Sequence, residues 1–289
     1  MTAPVFTEMW LGPVGRLRRL PMIPVGSEWG LTHMVLGGTH ESLGGQLTQD
    51  RIGVRREWSV DWSCLSGDDI AAVRAWQARL VRAPLRLIDP RERNRAGKRS
   101  AAGGSYDRRA DGYAGGVGSY TVVQPTDLPA ELAGLIDSAV SWTVPATGGR
   151  MHVDDAIVGD RIPMVPGEQI TMSWWVKGTG TAQLTPGLFD INGGAVIFGG
   201  PVVTLTGGWQ RLVYTFSAAD RVTGSFAVSV NAAAAARAVL VTAAQWEAGP
   251  VATPWVPGFG CPRVAFGDLD HRLAGVGNRY GLGAVIREL

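Results

Sequence analysis

The chain has 289 residues, 45% hydrophobic and 18% charged, with a formal net charge of +2. That length suggests about two domains, the apolar share is enough for folded cores and excludes global disorder, and so small a charge is no nucleic-acid footprint, which needs a concentrated basic face. The 40 glycines and 11 tryptophans, spread among short apolar runs, favour all-β domains rich in turns.

In chain order, the opening MTAPVFTEMWLGPVG lacks a basic stretch, and Glu8 interrupts its apolar run, so it does not read as an export signal. No window holds the roughly 18 uncharged apolar residues of a membrane span. The chain is expected to stay in a cytoplasm until something releases it. VFTEMWLG and RLRRLPMIPV predict short strands split by Gly-Pro and Pro turns. RIGVRREWSVDWSCL then alternates: Ile52, Val54, Trp58, Val60 and Trp62 share one parity, and Arg55, Glu57, Ser59 and Asp61 take the other. Period two predicts a half-buried strand, with Arg56 the misfit on the apolar side.

SGDDIAAVRAWQARLVRAP predicts the one helix. Ser66 and Asp69 form a capping-box pattern, Ile70, Val73, Gln77 and Leu80 recur at helical spacing, and Pro84 stops it. LRLIDP predicts another strand. The next stretch, RERNRAGKRSAAGGSYDRRADGYAGG, is Arg- and Gly-rich with almost no aliphatic residues, and predicts a linker or exposed loop over 93–118.

From 119 to 257 the runs SAVSWTV, QITMSWWVKG, GAVIFGG, PVVTL, GWQRLVYTF, GSFAVSVN and RAVLVTAAQWE come with turn signals between them, the beat of a β-sandwich. NAAAAARA lies between two of these strands and reads as a loop. The closing CPRVAFGDLDHRLAGVGNRYGLGAVIREL predicts two strands around a Gly-rich connection, too short for a core of its own. It must pack on the first segment. QWEAGPVATPWVPGFG, from Gln245 to Gly260, marks the seam where an inserted domain hands the chain back. The expected organisation is a discontinuous domain of 1–92 with 258–289, the linker, and an inserted sandwich of 119–257.

Catalytic motifs are missing from the sequence. His33, His40, His152 and His271 have no ligand-spaced partners. HVDD followed by Asp160 offers Asp154, Asp155 and Asp160 as metal candidates, with a solvated turn as the competing reading. Asp190-Ile-Asn192-Gly193 begins like a calcium loop and then lacks the acidic ligands; a hairpin turn explains it. GVGNRYG is spaced wrongly for a dinucleotide fingerprint. Cys64 and Cys261 are too few for a disulfide framework; free thiols are expected, with a pair as the alternative. The cluster Arg91, Arg93, Arg95, Lys98, Arg99, Arg108 and Arg109 could grip phosphate, but lacks aromatic residues for stacking on single strands; a solvated loop or a subunit contact is the competing reading.

Trp174 and Trp175 point to opposite faces of one strand. One belongs to the core. The other, Trp175, shares parity with Ser173 and Lys177. An indole beside polar groups suits a sugar ring, whose C–H face stacks while its hydroxyls meet hydrogen-bonding side chains. Trp175 and Lys177 are therefore the candidate carbohydrate-binding residues, and Trp209 and Trp246 read as structural plugs.

The segments VPGEQITMSWWVKGTG, GWQRLVYTF and AVLVTAAQWEAGPVATPWVPG, in that order, resemble the jelly-roll carbohydrate-binding modules. The resemblance covers about 140 residues and implies glycan binding without catalysis. Such modules often carry an Asp before the apolar-Glu pair of the last strand. This chain has Thr242, Ala243 and Ala244 there and keeps Glu247, which removes an acidic ligand from the family's structural calcium site; no cofactor is expected. REWSVDWSCL with the following helix, PLRLIDPRERN and the closing VAFGDLDH and VIREL are similar to the distal and minor tail proteins of long-tailed bacteriophages. That family implies a sandwich built from both chain ends with an accessory domain between them. It also implies a ring, commonly six-fold, joining the tail tube to the tip or baseplate. The partners so implied are further copies of the chain, a tail tube protein, other tail-tip proteins and host cell-wall glycan.

Three readings compete. One is a virion tail-tip ring subunit, assembled in the bacterial cytoplasm; the second is a free binding module or lectin. The third is a glycan-active enzyme, for which Glu168 and Asp190 are the only acids to nominate. No enzyme activity, nucleic-acid partner or membrane span is expected.

Overall fold

The computed structural model describes residues 8–21, 29–42, 44–105, 113–114, 119–145, 148–153, 161–231, 237–273 and 279–289. It is mainly antiparallel β. The strands in chain order are β1 (Met9–Pro13), β2 (Arg18–Leu20), β3 (Gly30–Glu41), β4 (Leu47–Ser66), β5 (Leu85–Ile88), β6 (Tyr113–Ala114), β7 (Tyr120–Val123), β8 (Ala139–Val144) and β9 (Gly149–Val153). They continue with β10 (Ile162–Pro163), β11 (Gln169–Leu184), β12 (Gly187–Phe189), β13 (Ala195–Ile197), β14 (Val203–Ser217), β15 (Thr223–Asn231), β16 (Arg237–Ala248), β17 (Arg263–Leu273) and β18 (Arg279–Glu288). Helix α1 spans Gly67–Gln77, and α2 spans Lys98–Ala102. Two compact units divide the chain: Thr7–Asp89 with Pro262–Leu289, and Pro90–Cys261. The seams fall at Asp89/Pro90 and Cys261/Pro262, where the sequence suggests 92/93 and 257/258.

The unit built from both chain segments is one sheet in the order β2-β1-β5-β17-β18-β4-β3. The closing strands β17 and β18 lie inside it, between β5 and β4, not on its margin. On β4 the alternation works as the residues dictate: Trp58, Val60 and Trp62 are buried, while Arg55 and Ser59 are exposed. Arg56 lies on the apolar side and is buried too. Its Nε, Nη2 and backbone N–H donate to the Glu288 carboxylate of β18, at 2.9 to 3.2 Å, and the guanidinium stands 5.2 Å from the Trp58 ring centroid. The Asp89 carboxylate, at the end of β5, accepts the Trp58 indole N–H at 2.7 Å.

Helix α1 lays Ile70, Val73 and Trp76 on the same core. Ser66 caps it by accepting the Asp69 N–H at 3.1 Å, as the sequence pattern predicts. Its end differs from expectation. The helix stops at Gln77, not at Pro84, because Arg79 turns into the left-handed region with φ 54°. Arg79 N–H then bonds the Trp76 carbonyl and Leu80 N–H the Ala75 carbonyl, the paired bonds of a Schellman close. Leu80, read as part of the apolar stripe, is consequently 76% exposed.

The Pro90–Cys261 unit is a β-sandwich. One face runs β7-β8-β16-β11-β14. The other is centred on β15, which pairs with β9 and β10 on one side and with β12 and the end of β11 on the other. Strand β11 belongs to both. Up to Lys177 it pairs with β16; beyond a bulge between Lys177 and Thr179 it pairs with β15. Trp142, Trp174, Trp246, Phe226 and Met172 fill the space between the faces. Trp246 meets Phe216 edge-on at 5.5 Å and leaves no room for a side chain at Gly224. It is the structural plug that its position suggests.

The expected linker needs correction. Asn94, Arg95, Ala96, Ser100 and Ala101 are buried, and the segment carries α2. Asn94 Nδ2 donates to the carbonyls of Ala244 and Val256, its Oδ1 accepts from the Ala96 and Trp246 N–H groups, and Arg95 forms a two-pronged pair with Glu168 at 2.8 and 3.0 Å. Low aliphatic content misled because the segment is held by polar side chains bonding to backbone. Arg95 is therefore no part of a solvated basic cluster. Residues 106–112, with Arg108 and Arg109, and residues 232–236 of NAAAAARA lie outside the described residues. Cys64 is exposed, Cys261 is buried, and both are free thiols. Among the described residues no helix is long and apolar enough to cross a membrane.

Candidate functional site

The outer side of the β11–β14 pair gathers the chemistry. The register sets Trp175 opposite Arg211 and Lys177 opposite Trp209, so the two indoles lie on one diagonal and the two cations on the other. Diagonal neighbours sit roughly 7–8 Å apart, within reach of side chains this long. Period two dictates this: Trp175 and Lys177 share a parity on β11, and Trp209 and Arg211 share one on β14. Trp174 and Val176, on either side of Trp175 along β11, go wholly into the core.

A loop around the 3-10 turn Ala130–Leu132 crosses this patch. Leu132 and Ile136 anchor it in a small apolar cluster with Ala96, Ala101, Ala243 and Trp255, against which Trp175 packs. The loop contributes two carboxylates. Trp175 Nε1–H donates to Glu131 Oε1 at 3.1 Å, with Arg211 Nη1 3.6 Å from the same oxygen. Lys177 Nζ donates to Asp127 Oδ2 at 2.6 Å. That hydrogen bond, helped by the ammonium charge, holds the Asp127 carboxyl below its ordinary pKa against an opposing desolvation. Trp209 Nε1–H is buried without a well-formed hydrogen bond, although it lies near enough to Asp127 to add to that lowering. Arg211 is fixed from behind: its Nη2 donates to Ser173 Oγ at 2.9 Å and to the Thr253 carbonyl at 2.6 Å.

Both sequence-nominated residues, Trp175 and Lys177, thus fall in one patch. Neither is an open platform, since each already bonds a carboxylate of the loop. Sequence reading missed Trp209 and Arg211 as companions, taking Trp209 for a plug. The alternation in GWQRLVYTF puts both on one face; only the register shows that it is the face of Trp175. Asp127 and Glu131 carry no local signal at all.

The other nominees lie elsewhere. Glu168 is locked to Arg95 and also accepts the Val165 N–H at 2.8 Å. Asp190 closes the β12–β13 hairpin, accepting the N–H groups of Asn192 and Gly194 at 2.8 Å each, with Gly193 at φ 85° and Arg221 at 3.3 Å. Asp154, Asp155 and Asp160 lie outside the described residues. No group of three or more His, Cys, Asp or Glu residues that could hold a metal occurs among the described residues. Glu247, where the resemblance to the modules implies a calcium site, accepts from Gln245 Nε2, Thr253 N–H and Thr253 Oγ1 at 2.9, 2.9 and 2.6 Å. A carboxylate already holding three hydrogen donors does not fit a calcium ion, which needs free oxygen ligands.

No family model matches the chain, and neither does any curated protein. Solved structures do. The enzymatically active domain of tailspike protein 4 of bacteriophage CBA120 is 14% identical, with a TM-score of 0.41 over 54% of this chain, which spans 21% of that one. The CBM22-1 xylan-binding domain from Paenibacillus barcinonensis Xyn10C is 16% identical, with a TM-score of 0.36 over 56% of this chain and 94% of that one. A family 4 carbohydrate-binding module is 14% identical, with a TM-score of 0.33 over 50% of this chain and 99% of that one.

Proposed function

We propose that this chain is a non-catalytic virion protein of a bacteriophage tail tip. In this reading it is a ring-forming distal or minor tail protein, commonly a hexamer, between tail tube and tip or baseplate. Its sandwich displays a jelly-roll site for glycan on the host surface. The observation that carries the reading is the unit Thr7–Asp89 with Pro262–Leu289, whose sheet is completed from both ends of the chain around a separate compact sandwich. That is the organisation implied by the tail-protein resemblance of REWSVDWSCL and VIREL. Strand pairing and apolar contact would close the ring through repeated identical interfaces. Weak sites repeated around a ring would then act together through effective concentration.

A second reading, a free binding module or lectin, draws on the sandwich having a complete core of its own. The deciding experiment is the native mass of the purified chain, alone and mixed with the tail tube protein of a candidate phage, with negative-stain images. A closed ring in either sample is the expected result. A chain that stays monomeric in both and binds glycan supports the free module.

A further inference from the structure

The patch on β11 and β14 has a charge pattern that narrows its ligand. Its two cations are deeper than the acids they hold. The Lys177 and Arg211 side chains are 28% and 17% exposed, against 55% for Asp127 and 42% for Glu131. The carboxylates therefore sit at the mouth and the cations at the floor. Arg211 cannot turn away, because Ser173 and Thr253 hold it from behind. The loop backbone is anchored by Leu132, while the two acid side chains are the more exposed members of their pairs. Exposed ion pairs of this kind contribute little to stability, so a competing acid meets little resistance.

We infer that this site takes a sugar bearing a carboxylate, a uronic acid, and that Asp127 and Glu131 occupy the places of the ligand's acid groups in the free protein. The inference rests on the glycan reading proposed above and gives it a substrate class. A neutral sugar would gain stacking on the indoles but could not replace either loop acid. Two uronate units, with one carboxylate each, can replace both: a planar carboxylate already sits against Trp175 Nε1 and Arg211, and another against Lys177. Trp209 Nε1–H, buried and poorly bonded, is a further donor for a sugar hydroxyl.

The test is calorimetry on the full chain at low salt. The probes are oligogalacturonate, hyaluronate and alginate oligomers, with methyl-esterified oligogalacturonate, xylan and cello-oligosaccharides as neutral counterparts. At least one acidic probe should bind, and esterification should weaken oligogalacturonate binding, if seen, about tenfold, the worth of one charge-assisted hydrogen bond. Asp127→Asn with Glu131→Gln should tighten the acidic probe, whereas Lys177→Gln with Arg211→Gln should abolish it. Circular dichroism checks that each variant is folded. If only neutral probes bind, or if Asp127→Asn with Glu131→Gln leaves acidic binding unchanged, the uronate inference falls and the glycan reading stands. If no probe binds to the wild type or to that variant, both fall.

Discussion

At the scale of single residues, the polar side chains in apolar places explain most about this chain. Arg56 breaks the alternation of its strand, and burial would be costly for its charge without Glu288. Because the guanidinium is fully enclosed, removing Glu288 takes away a carboxylate that balances a buried charge; Glu288→Ala should cost about 3 kcal/mol in chemical denaturation, and Arg56→Met with Glu288→Leu should recover much of it. At the surface, Asp127 allows a pH test. Its folded-state pKa is depressed by Lys177, so its contribution is present above the unfolded value of about 3.9 and is lost as pH falls through the lower folded value. Tryptophan fluorescence should therefore change below about pH 4, through release of the loop acid beside Trp209, and Asp127→Asn should remove that step.

Among the elements, α1 shows what sequence can and cannot convey. Its start is legible because capping is local: Ser66 and Asp69 lie three residues apart and bond as their spacing says. Its end is not, because Arg79 adopts a left-handed turn that Gly would normally take, and nothing in ARLVRAP announces it. Ser66→Ala should cost about 1 kcal/mol. Arg79→Gly should instead stabilise by about 0.5 kcal/mol, since Gly has no side chain to strain there; thermal melts of the two variants should move in opposite directions. The same divide holds in the sandwich. Parity along β11 separates Trp174 from Trp175, whereas the partnership of Trp175 with Arg211 depends on a cross-strand register, and that of Lys177 with Asp127 on a loop 50 residues earlier. The Arg- and Gly-rich stretch after Pro90 was opaque for another reason. Three of its buried members, Asn94, Arg95 and Ser100, are polar, and composition counts them as surface.

For the whole molecule, the division into two units predicts independent loss of structure. Deleting 279–289 removes β18, the neighbour of both β4 and β17, and should expose Trp58 and Trp62. Limited proteolysis of that truncation should digest the Thr7–Asp89 segment and leave a resistant fragment near Pro90–Cys261, identified by mass spectrometry. Equal resistance of both units would show that β18 is dispensable. The interior position of β17 and β18 also has a consequence in time. A chain made from its N-terminus forms domains as they emerge, and the sandwich has all its strands before synthesis reaches Pro262. The other unit must keep the β1–β5 and β3–β4 pairs apart until β17 and β18 emerge to join them, because those strands follow the sandwich in the chain. A nascent chain would thus show its finished sandwich first, while the unit proposed to make the ring stays incompetent until β18 has emerged, so that neighbouring ribosomes on one message could not knit their products together too early.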